Sequence, residues 1–271
     1  MTDRYAVIGN PIAQSKSPLL HTAFARQFGH DLTYEALLAT HDTFAATVRR
    51  FIAEGGKGMN VTAPFKLAAL ALADTLSERA RAAQAINTLK FEPEGVHGDN
   101  TDGVGLVGDI QDRLGISLAG KRLLVIGAGG AARGILLPLL QAGPGYLLLV
   151  NRTESKAHDL LGEHSRAGKV EAGPLAAVAG GRFDVVINAT SASLGGTPLA
   201  LADEVFAPGS LAYDLVYGKG DTAFMADARR QGAARVSDGL GMLVGQAAES
   251  YRLWRGCLPD VEPVMAMLRP A

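Results

Sequence analysis

The sequence predicts an α/β protein made of two open, mostly parallel sheets, each in its own domain. Three observations carry this expectation. Short apolar runs alternate with helix-like segments through the first hundred residues, the pattern of strands joined by crossover helices. Leu123-Leu124-Val125-Ile126 leads at once into Gly127-Ala128-Gly129-Gly130-Ala131-Ala132, a strand that passes through a glycine turn into a helix. Residues 183–188 and 211–215 are apolar almost throughout, as strands covered on both faces must be. The length agrees, since 271 residues at about 150 per domain make two domains of ordinary size.

The elements follow in order. Residues 5–9 form a first strand closed by the turn Gly9-Asn10-Pro11. Ser17-Pro18 reads as an N-cap with proline at the first helical position, opening a helix over 19–28 that stops at Gly29. Residues 32–38 make the second strand, 44–54 a helix and 58–62 a third strand. A helix is expected to begin at Pro64, and another over 76–86. In the second half, 123–126 is a strand, 133–141 a helix and 146–150 the next strand, with Asn151-Arg152-Thr153 in the loop beyond. The tail, 241–255, is a helix of small and apolar residues. The domain boundary is expected near residues 102–120, with 1–104 completed by 239–271 as one domain and 105–238 as the other.

Composition excludes several classes of function. With 48% hydrophobic and 20% charged residues, the chain is not a disordered or solvating one. Its 26 basic and 27 acidic residues leave a net charge of −1, so nothing advertises nucleic acid or an anionic membrane. The single cysteine, Cys257, allows neither an internal disulfide nor a cysteine-based zinc site. His21 and the other histidines show no metal-ligand spacing, so no metal is expected. The first residues lack the features of a signal peptide, and the greasiest stretch, 123–140, is interrupted by glycines and Arg133. A soluble cytoplasmic protein is expected. Glycine is over-represented at 33 residues against a usual share of about 7%, which points to tight turns or to backbone that approaches a ligand.

Gly127-x-Gly129-x-x-Ala132 fits the dinucleotide-binding fingerprint of the Rossmann fold. The first glycine permits the tight turn, the second lets pyrophosphate approach the backbone, and the small third residue lets helix and strand pack closely. Such turns also occur for packing alone, and context argues for the cofactor. An NAD-preferring protein places Asp or Glu after the second strand, on the ribose hydroxyl. Asn151-Arg152-Thr153 offers a guanidinium instead, suited to a 2′-phosphate and hence to NADP. Asn188-Ala189-Thr190-Ser191 closes another strand with small polar residues, where parallel sheets bind ligands. In the N-terminal half, Ser15 and Ser17 follow the first strand, and Thr62 and Lys66 follow the third. A cation near a helix N-terminus is unfavourable, so Lys66 asks for a functional reason. Gly98-Asp99-Asn100-Thr101-Asp102-Gly103 reads by itself as an Asx-type turn.

Taken together, the segments resemble the NADP-dependent shikimate dehydrogenase family. The ordered matches are Gly9-Asn10-Pro11 with Ser15-x-Ser17-Pro18, Asn60-Val61-Thr62-x-Pro64-x-Lys66, Ala85-Ile86-Asn87-Thr88 and Asn100-Thr101-Asp102-Gly103. Gly127-Ala128-Gly129-Gly130-Ala131, Asn151-Arg152-Thr153, Asn188-Ala189-Thr190-Ser191 and Asp238-Gly239-Leu240-Gly241-Met242-Leu243-x-x-Gln246 continue the series. Two positions depart from the family pattern. Gln14 stands where His is usual, and Tyr217 is followed by Gly218-Lys219-Gly220 rather than a proline pattern.

The resemblance implies reversible reduction of 3-dehydroshikimate to shikimate by NADPH, in the pathway to aromatic amino acids. It implies an N-terminal substrate domain, a Rossmann NADP domain, and C-terminal helices returning to the first, with the active site in the cleft between. Lys66 is then the proton donor and Asp102 holds Lys66 and a substrate hydroxyl. Ser15, Ser17, Thr62, Asn87, Tyr217 and Gln246 bind substrate. Glu78, Gly127, Ala128, Gly129, Gly130, Ala131, Asn151, Arg152, Thr153, Lys156, Thr190, Leu215, Gly239 and Met242 serve the cofactor, Gly239 and Met242 beside the nicotinamide. A paralogue that also oxidises quinate, with NAD, shares nearly every motif. A non-catalytic sensor on this fold is expected to lack Lys66 or Asp102 or to carry a DNA-binding segment, and both residues are present.

Overall fold

A computed structural model describes residues 2–162, 169–190, 192, 199, 201, 204–218 and 220–269. Ser191 and Lys219 lie outside the described residues. The chain divides into two compact units, Met1–Gly105 with Leu243–Ala271, and Leu106–Met242.

In the first unit, the apolar run Tyr5–Ile8 is buried throughout and forms the middle of β1 (Asp3–Gly9). Helix α1 (Ser17–Phe28) leads to β2 (Leu32–Leu38), and α2 (Phe44–Ala53) to β3 (Gly56–Val61). Two further short elements follow, β4 (Thr75–Leu76) and α3 (Glu78–Ala83). The hairpin β5 (Thr88–Glu92) and β6 (Gly95–Asp99) then runs into α4 (Asp102–Gly108). The strand order is β2-β1-β3-β5-β6-β4, parallel from β2 to β3 and antiparallel across β3-β5-β6. The pattern of strands and helices read from the sequence passes over this hairpin. Its strands are short and carry Lys90, Glu92, His97 and Asp99, which weakens the apolar signal.

Three local expectations are corrected. No α-helix begins at Pro64. The Lys66 carbonyl accepts from Ile86 N–H at 2.8 Å, while Leu70 N–H, its partner in a helix, donates to the Leu67 carbonyl at 3.2 Å, and a 3₁₀ turn, Ala68–Leu72, follows instead. The helix expected over 76–86 shrinks to α3, capped at its start by the Ser77 side chain, which accepts from Ala80 N–H, and ended by Gln84 in the left-handed region at φ 47°. Ser17 is not an N-cap. Lys16 holds that position without a side-chain bond, and Ser17 is the first residue of α1. Gly29 does end α1, in the left-handed region at φ 65°.

The second unit is wound from β7 (Arg122–Ile126), α5 (Gly130–Gln141), β8 (Tyr146–Val150), α6 (Glu154–Gly162) and β9 (Val170–Gly173). It continues with β10 (Phe183–Asn188), β11 (Phe206–Asp214), α7 (Ala223–Arg230) and β12 (Arg235–Ser237). The last helices are α8 (Leu240–Arg255), which runs from the second unit into the first, and α9 (Glu262–Leu268). The sheet order is β12-β11-β10-β7-β8-β9, and every pair is parallel. Alternate residues supply two cores: Leu123, Val125, Val185 and Ile187 enter one, and Leu124, Ile126, Val186 and Ala212 the other. Period-two alternation with both faces covered explains why these strands read as unbroken apolar runs. Because all six strands are parallel, the chain leaves β7, β8, β10, β11 and β12 along one edge. The order reverses between β7 and β10, the switch point at which such sheets bind ligands. Among the described residues, no helix is long and apolar enough to cross a membrane.

Candidate active site

In the first unit, polar side chains far apart in sequence converge on Asp102, the first residue of α4. Lys66 Nζ donates to Asp102 Oδ2 at 2.5 Å across 36 residues, and Asn87 Nδ2 donates to Asp102 Oδ1 at 2.8 Å. Both carboxylate oxygens are therefore engaged. The Asp102 side chain is only 6% exposed while Lys66 retains 21%, so the ammonium is the partner that solvent or a ligand can reach. Asp102 N–H donates to Asn100 Oδ1 at 3.2 Å, the Asx turn expected from the sequence. Here that turn aims a carboxylate.

Asn87 has a fixed amide orientation. Its Oδ1 accepts from Thr101 N–H at 2.9 Å and Thr88 Oγ1 at 2.8 Å. Its Nδ2 also reaches Thr101 Oγ1 at 2.9 Å and Gln246 Oε1 at 3.3 Å. Gln246 lies one helical turn before Ser250, whose hydroxyl donates to the Gln246 carbonyl at 3.0 Å. Asn60 Nδ2 donates to the Asn87 carbonyl at 3.2 Å and to Ser250 Oγ at 3.0 Å. Its Oδ1 accepts from Tyr34 Oη at 2.7 Å. Ser15 Oγ accepts from Ser17 N–H at 3.3 Å. Thr62 packs beside Gly9, where an added Cβ would meet the Thr62 methyl. Gln14 is exposed and turns back to the Pro11 carbonyl at 3.4 Å.

A second network braces the turn from behind. Asp99 Oδ1 accepts from Ser77 Oγ at 2.5 Å, Arg79 Nε at 2.7 Å and Asn100 N–H at 2.7 Å. Arg79 Nη2 bridges Asp99 Oδ2 at 2.6 Å and Glu249 Oε1 at 2.8 Å. Burial pushes the Asp99 carboxyl up, and Arg79, Ser77 and the Asn100 N–H outweigh it, holding the group below the ordinary carboxylate range.

Thr101, Thr88, Ser250 and Asn60 were assigned no role from the sequence. Spacing did hold one signal: Ser250 stands four residues after Gln246 on α8, and so on the same face. Glu78 is exposed at the start of α3, and the structure brings it to none of these groups.

In the second unit, Gly127 follows β7 at φ 113°, and a Cβ there would meet Thr190 Cγ2 at 3.0 Å. Gly129 and Gly130 have nothing within 4 Å of an added Cβ, so internal packing does not demand glycine at either. Both border open space at the N-terminus of α5, which has no side-chain cap and no acidic residue in its first turn. Unpaired N–H groups and a positive dipole end suit a pyrophosphate there. Ala131 is half-buried and Ala132 fully buried against the sheet. Ala128 N–H donates to Asn151 Oδ1 at 3.3 Å, and Asn151 Nδ2 to the Thr153 carbonyl at 2.8 Å. This ties the glycine turn to the loop after β8. Arg152, Thr153 and Lys156 are exposed there, and no carboxylate stands at 151–153. The donor set fits a dinucleotide carrying a 2′-phosphate.

Beyond β10 and β11, Thr190 N–H and Oγ1 donate to Asn188 Oδ1 at 3.0 and 2.7 Å. Asn188 Nδ2 donates to Asp214 Oδ1 at 3.0 Å. Leu215 N–H donates to the Asn188 carbonyl at 3.0 Å, and Gly239 N–H to the Val216 carbonyl at 3.1 Å. A Cβ on Gly239 would strike the Leu215 carbonyl, so the close approach requires glycine. Tyr217 is 37% exposed on the same loop. Among the described residues, no group of acidic, His or Cys side chains could hold a metal ion.

Family models match segments of both halves. Residues 7–89 match the shikimate dehydrogenase substrate binding domain, 109–198 the shikimate / quinate 5-dehydrogenase domain and 239–269 the shikimate 5'-dehydrogenase C-terminal domain. The NADP(+)-dependent shikimate dehydrogenase of Nitrosospira multiformis is 55% identical over 269 residues, covering 99% of this chain and 98% of that one. The chain belongs to the shikimate dehydrogenase family. That makes it one of a family of oxidoreductases. Similar solved structures include an Ael1 enzyme from Pseudomonas putida, with TM-score 0.94, 49% identity and coverage of 100% and 99% of the two chains. A shikimate 5-dehydrogenase from Thermus thermophilus, solved in complex with NADP(H) and shikimate, aligns with TM-score 0.86, 33% identity and 97% of each chain.

Proposed function

We propose that Lys66 and Asp102 carry the chemistry of this shikimate dehydrogenase, which interconverts 3-dehydroshikimate and shikimate with NADPH and NADP⁺. The observation behind this assignment is the 2.5 Å Lys66–Asp102 contact, with Asn87 on the second carboxylate oxygen. The bound dinucleotide supplies the hydride. Reduction then leaves negative charge on the former carbonyl oxygen, and a positioned donor must neutralise it. The Lys66 ammonium has three N–H groups and spends one on Asp102, keeping others for the substrate oxygen. In the reverse direction Lys66 takes the hydroxyl proton, and Asp102 stabilises the ammonium that results.

Ser15, Ser17, Thr62, Asn87, Gln246 and Tyr217 are the proposed partners of the substrate hydroxyls and carboxylate. A triol acid needs many such groups, because an unmatched hydroxyl is strongly penalised. The glycine turn with Ala128 and Ala131 holds the pyrophosphate, Asn151, Arg152, Thr153 and Lys156 the 2′-phosphate, and Thr190, Leu215, Gly239 and Met242 the nicotinamide half. Glu78 is kept as a weaker cofactor candidate. The proposed setting is cytoplasmic, with the chain acting as a monomer or homodimer. Cys257 is free, so the fold needs no oxidising compartment.

The test is the absorbance of reduced cofactor with shikimate or quinate, each paired with NADP⁺ or NAD⁺. Turnover confined to shikimate with NADP⁺ is expected. Comparable turnover with quinate or NAD⁺ would make this a broader-specificity member, and binding without turnover a sensor. Arg152→Ala should weaken binding of NADP⁺ by about 10- to 100-fold, the worth of a lost charge-assisted pair, and leave binding of NAD⁺ nearly unchanged. An equal loss with both cofactors would remove Arg152 from the 2′-phosphate.

A further inference from the structure

One buried group in the second unit has no part in the chemistry above. Tyr213, near the end of β11, is fully buried, yet its hydroxyl is neither idle nor at the surface. It donates to Asp109 Oδ2 at 2.7 Å and accepts from Met242 N–H at 3.1 Å. Asp109 is itself 6% exposed and opens the π-helical turn Asp109–Arg113. The Arg113 guanidinium neutralises it from one turn away, Nη2 lying 3.2 Å from Oδ2. Met242 stands in the first turn of α8, where helix N–H groups lack intrahelical partners. The phenol supplies the partner.

The same carboxylate sets the path of the backbone. A Cβ on Gly241 would fall on the Asp109 carboxylate, and one on Gly239 on the Leu215 carbonyl. Residues 239–242 are thus held from two sides, by the loop after β11 and by the Asp109–Tyr213 pair. Their place along the sheet edge says what they hold. The glycine turn for pyrophosphate follows the central strand β7, and Arg152 follows β8 on one side. A dinucleotide lying across the carboxyl ends with its 2′-phosphate at Arg152 must send its nicotinamide the other way, past β10 and β11 to the turn after β12.

We propose that Tyr213 and Asp109 are positioning residues for the nicotinamide half of the cofactor, acting through residues 239–242. The proposal rests on the dinucleotide reading of the second unit. A residue acting in this way should affect one end of the cofactor and leave the other alone.

The experiment compares wild type, Tyr213→Phe and Asp109→Asn. NADPH affinity is read from the cofactor's own fluorescence. Affinity for 2′-phospho-ADP-ribose, which lacks the nicotinamide, is read by its competition for NADPH. Steady-state constants are measured alongside. Tyr213→Phe keeps the ring and loses only the hydroxyl. Its Kd for NADPH should rise about three- to tenfold, a modest change because the two lost hydrogen bonds act on the cofactor only through the backbone of 239–242. Its Kd for 2′-phospho-ADP-ribose and its KM for shikimate should stay within about twofold. Asp109→Asn keeps an acceptor for Tyr213 and should fall between the two. Equal weakening of NADPH and the fragment would mean a general packing role and overturn the proposal. So would unchanged NADPH binding in a folded Tyr213→Phe. Failure of wild type to bind either ligand would instead overturn the cofactor reading itself.

Discussion

Lys66→Arg is expected to lower kcat by at least 100-fold while the protein folds and binds shikimate normally. General acid–base catalysis by a positioned side chain contributes about 10²–10⁴-fold, and arginine removes that contribution with little else. Its guanidinium stays protonated throughout the working range, so it cannot pass a proton to the developing alkoxide or take one back. It can still pair with Asp102, whose side chain is only 6% exposed. Lys66→Ala should lose as much activity, but it leaves a buried carboxylate short of its cation, a change that costs a few kcal/mol of stability. The arginine variant therefore separates chemistry from folding. The readout is kcat in both directions together with shikimate affinity by calorimetry. A folded Lys66→Arg protein within tenfold of wild-type kcat would falsify the proton-donor assignment.

The route to Lys66 shows how much of the site was legible in the sequence. A cation in a first helical turn is out of place, and that conflict singles out the side chain that the structure sets against Asp102. The structure replaces the helix with a turn, because Ile86 takes the Lys66 carbonyl. The reason for the ammonium is then Asp102, 36 residues away. Distances of this kind carry no period. Asn87 meets Asp102 across 15 residues and Gln246 across 159, and only the resemblance could join them. The second unit was the easier half. Both faces of its sheet are covered, so β8 and β10 stand out as apolar runs whose bounds, Tyr146–Val150 and Phe183–Asn188, match the expectation. The β5–β6 hairpin escaped notice because its pairing is set by register, Thr88 opposite Asp99 and Glu92 opposite Gly95, and not by composition. Tyr213 escaped for the opposite reason. In an apolar strand a tyrosine reads as core, and its hydroxyl partners, Asp109 and Met242, lie 104 residues before and 29 after it.

His21→Phe is expected to make the first unit markedly less sensitive to acid. His21 is buried on α1, its ring 4.3 Å from that of Tyr34 and nearly parallel to it. Nε2 lies 3.1 Å from Asn60 Oδ1. Because the Asn60 amide nitrogen faces Thr88, Ser250 and the Asn87 carbonyl, Oδ1 must accept and Nε2 must carry the hydrogen. Nδ1 is then a bare acceptor, buried with no hydrogen-bond partner. Burial pushes the imidazole pKa down to about 3, against a partial rise from Asn60. The ordinary value is about 6.5, so between pH 6.5 and 3 the unfolded chain binds a proton that the folded chain refuses. Stability contributed by the neutral form is therefore complete above pH 6.5 and falls as pH drops toward 3. The slope approaches about 1.4 kcal/mol per pH unit, a loss of several kcal/mol across the window. The aromatic neighbours, Phe24, Tyr34, Tyr251 and Trp254, do not titrate there; burial holds the Tyr251 phenol up at about 12. Phenylalanine keeps the ring stack, and Tyr34 still donates to Asn60, so the variant should lose little at pH 7.5. Trp254, the single tryptophan, has its ring 5.1 Å from that of His21 and reports the unit directly. Urea titrations of its fluorescence from pH 7.5 to 4 should give stability curves that diverge by about one proton below pH 6. Asp99 and Glu249, whose carboxyls are held low, lose their contribution in both proteins and cancel in the difference. Parallel curves would mean that His21 takes up its proton in the folded state, and that the buried network reaching Asn87 and Asp102 tolerates a charge at its base.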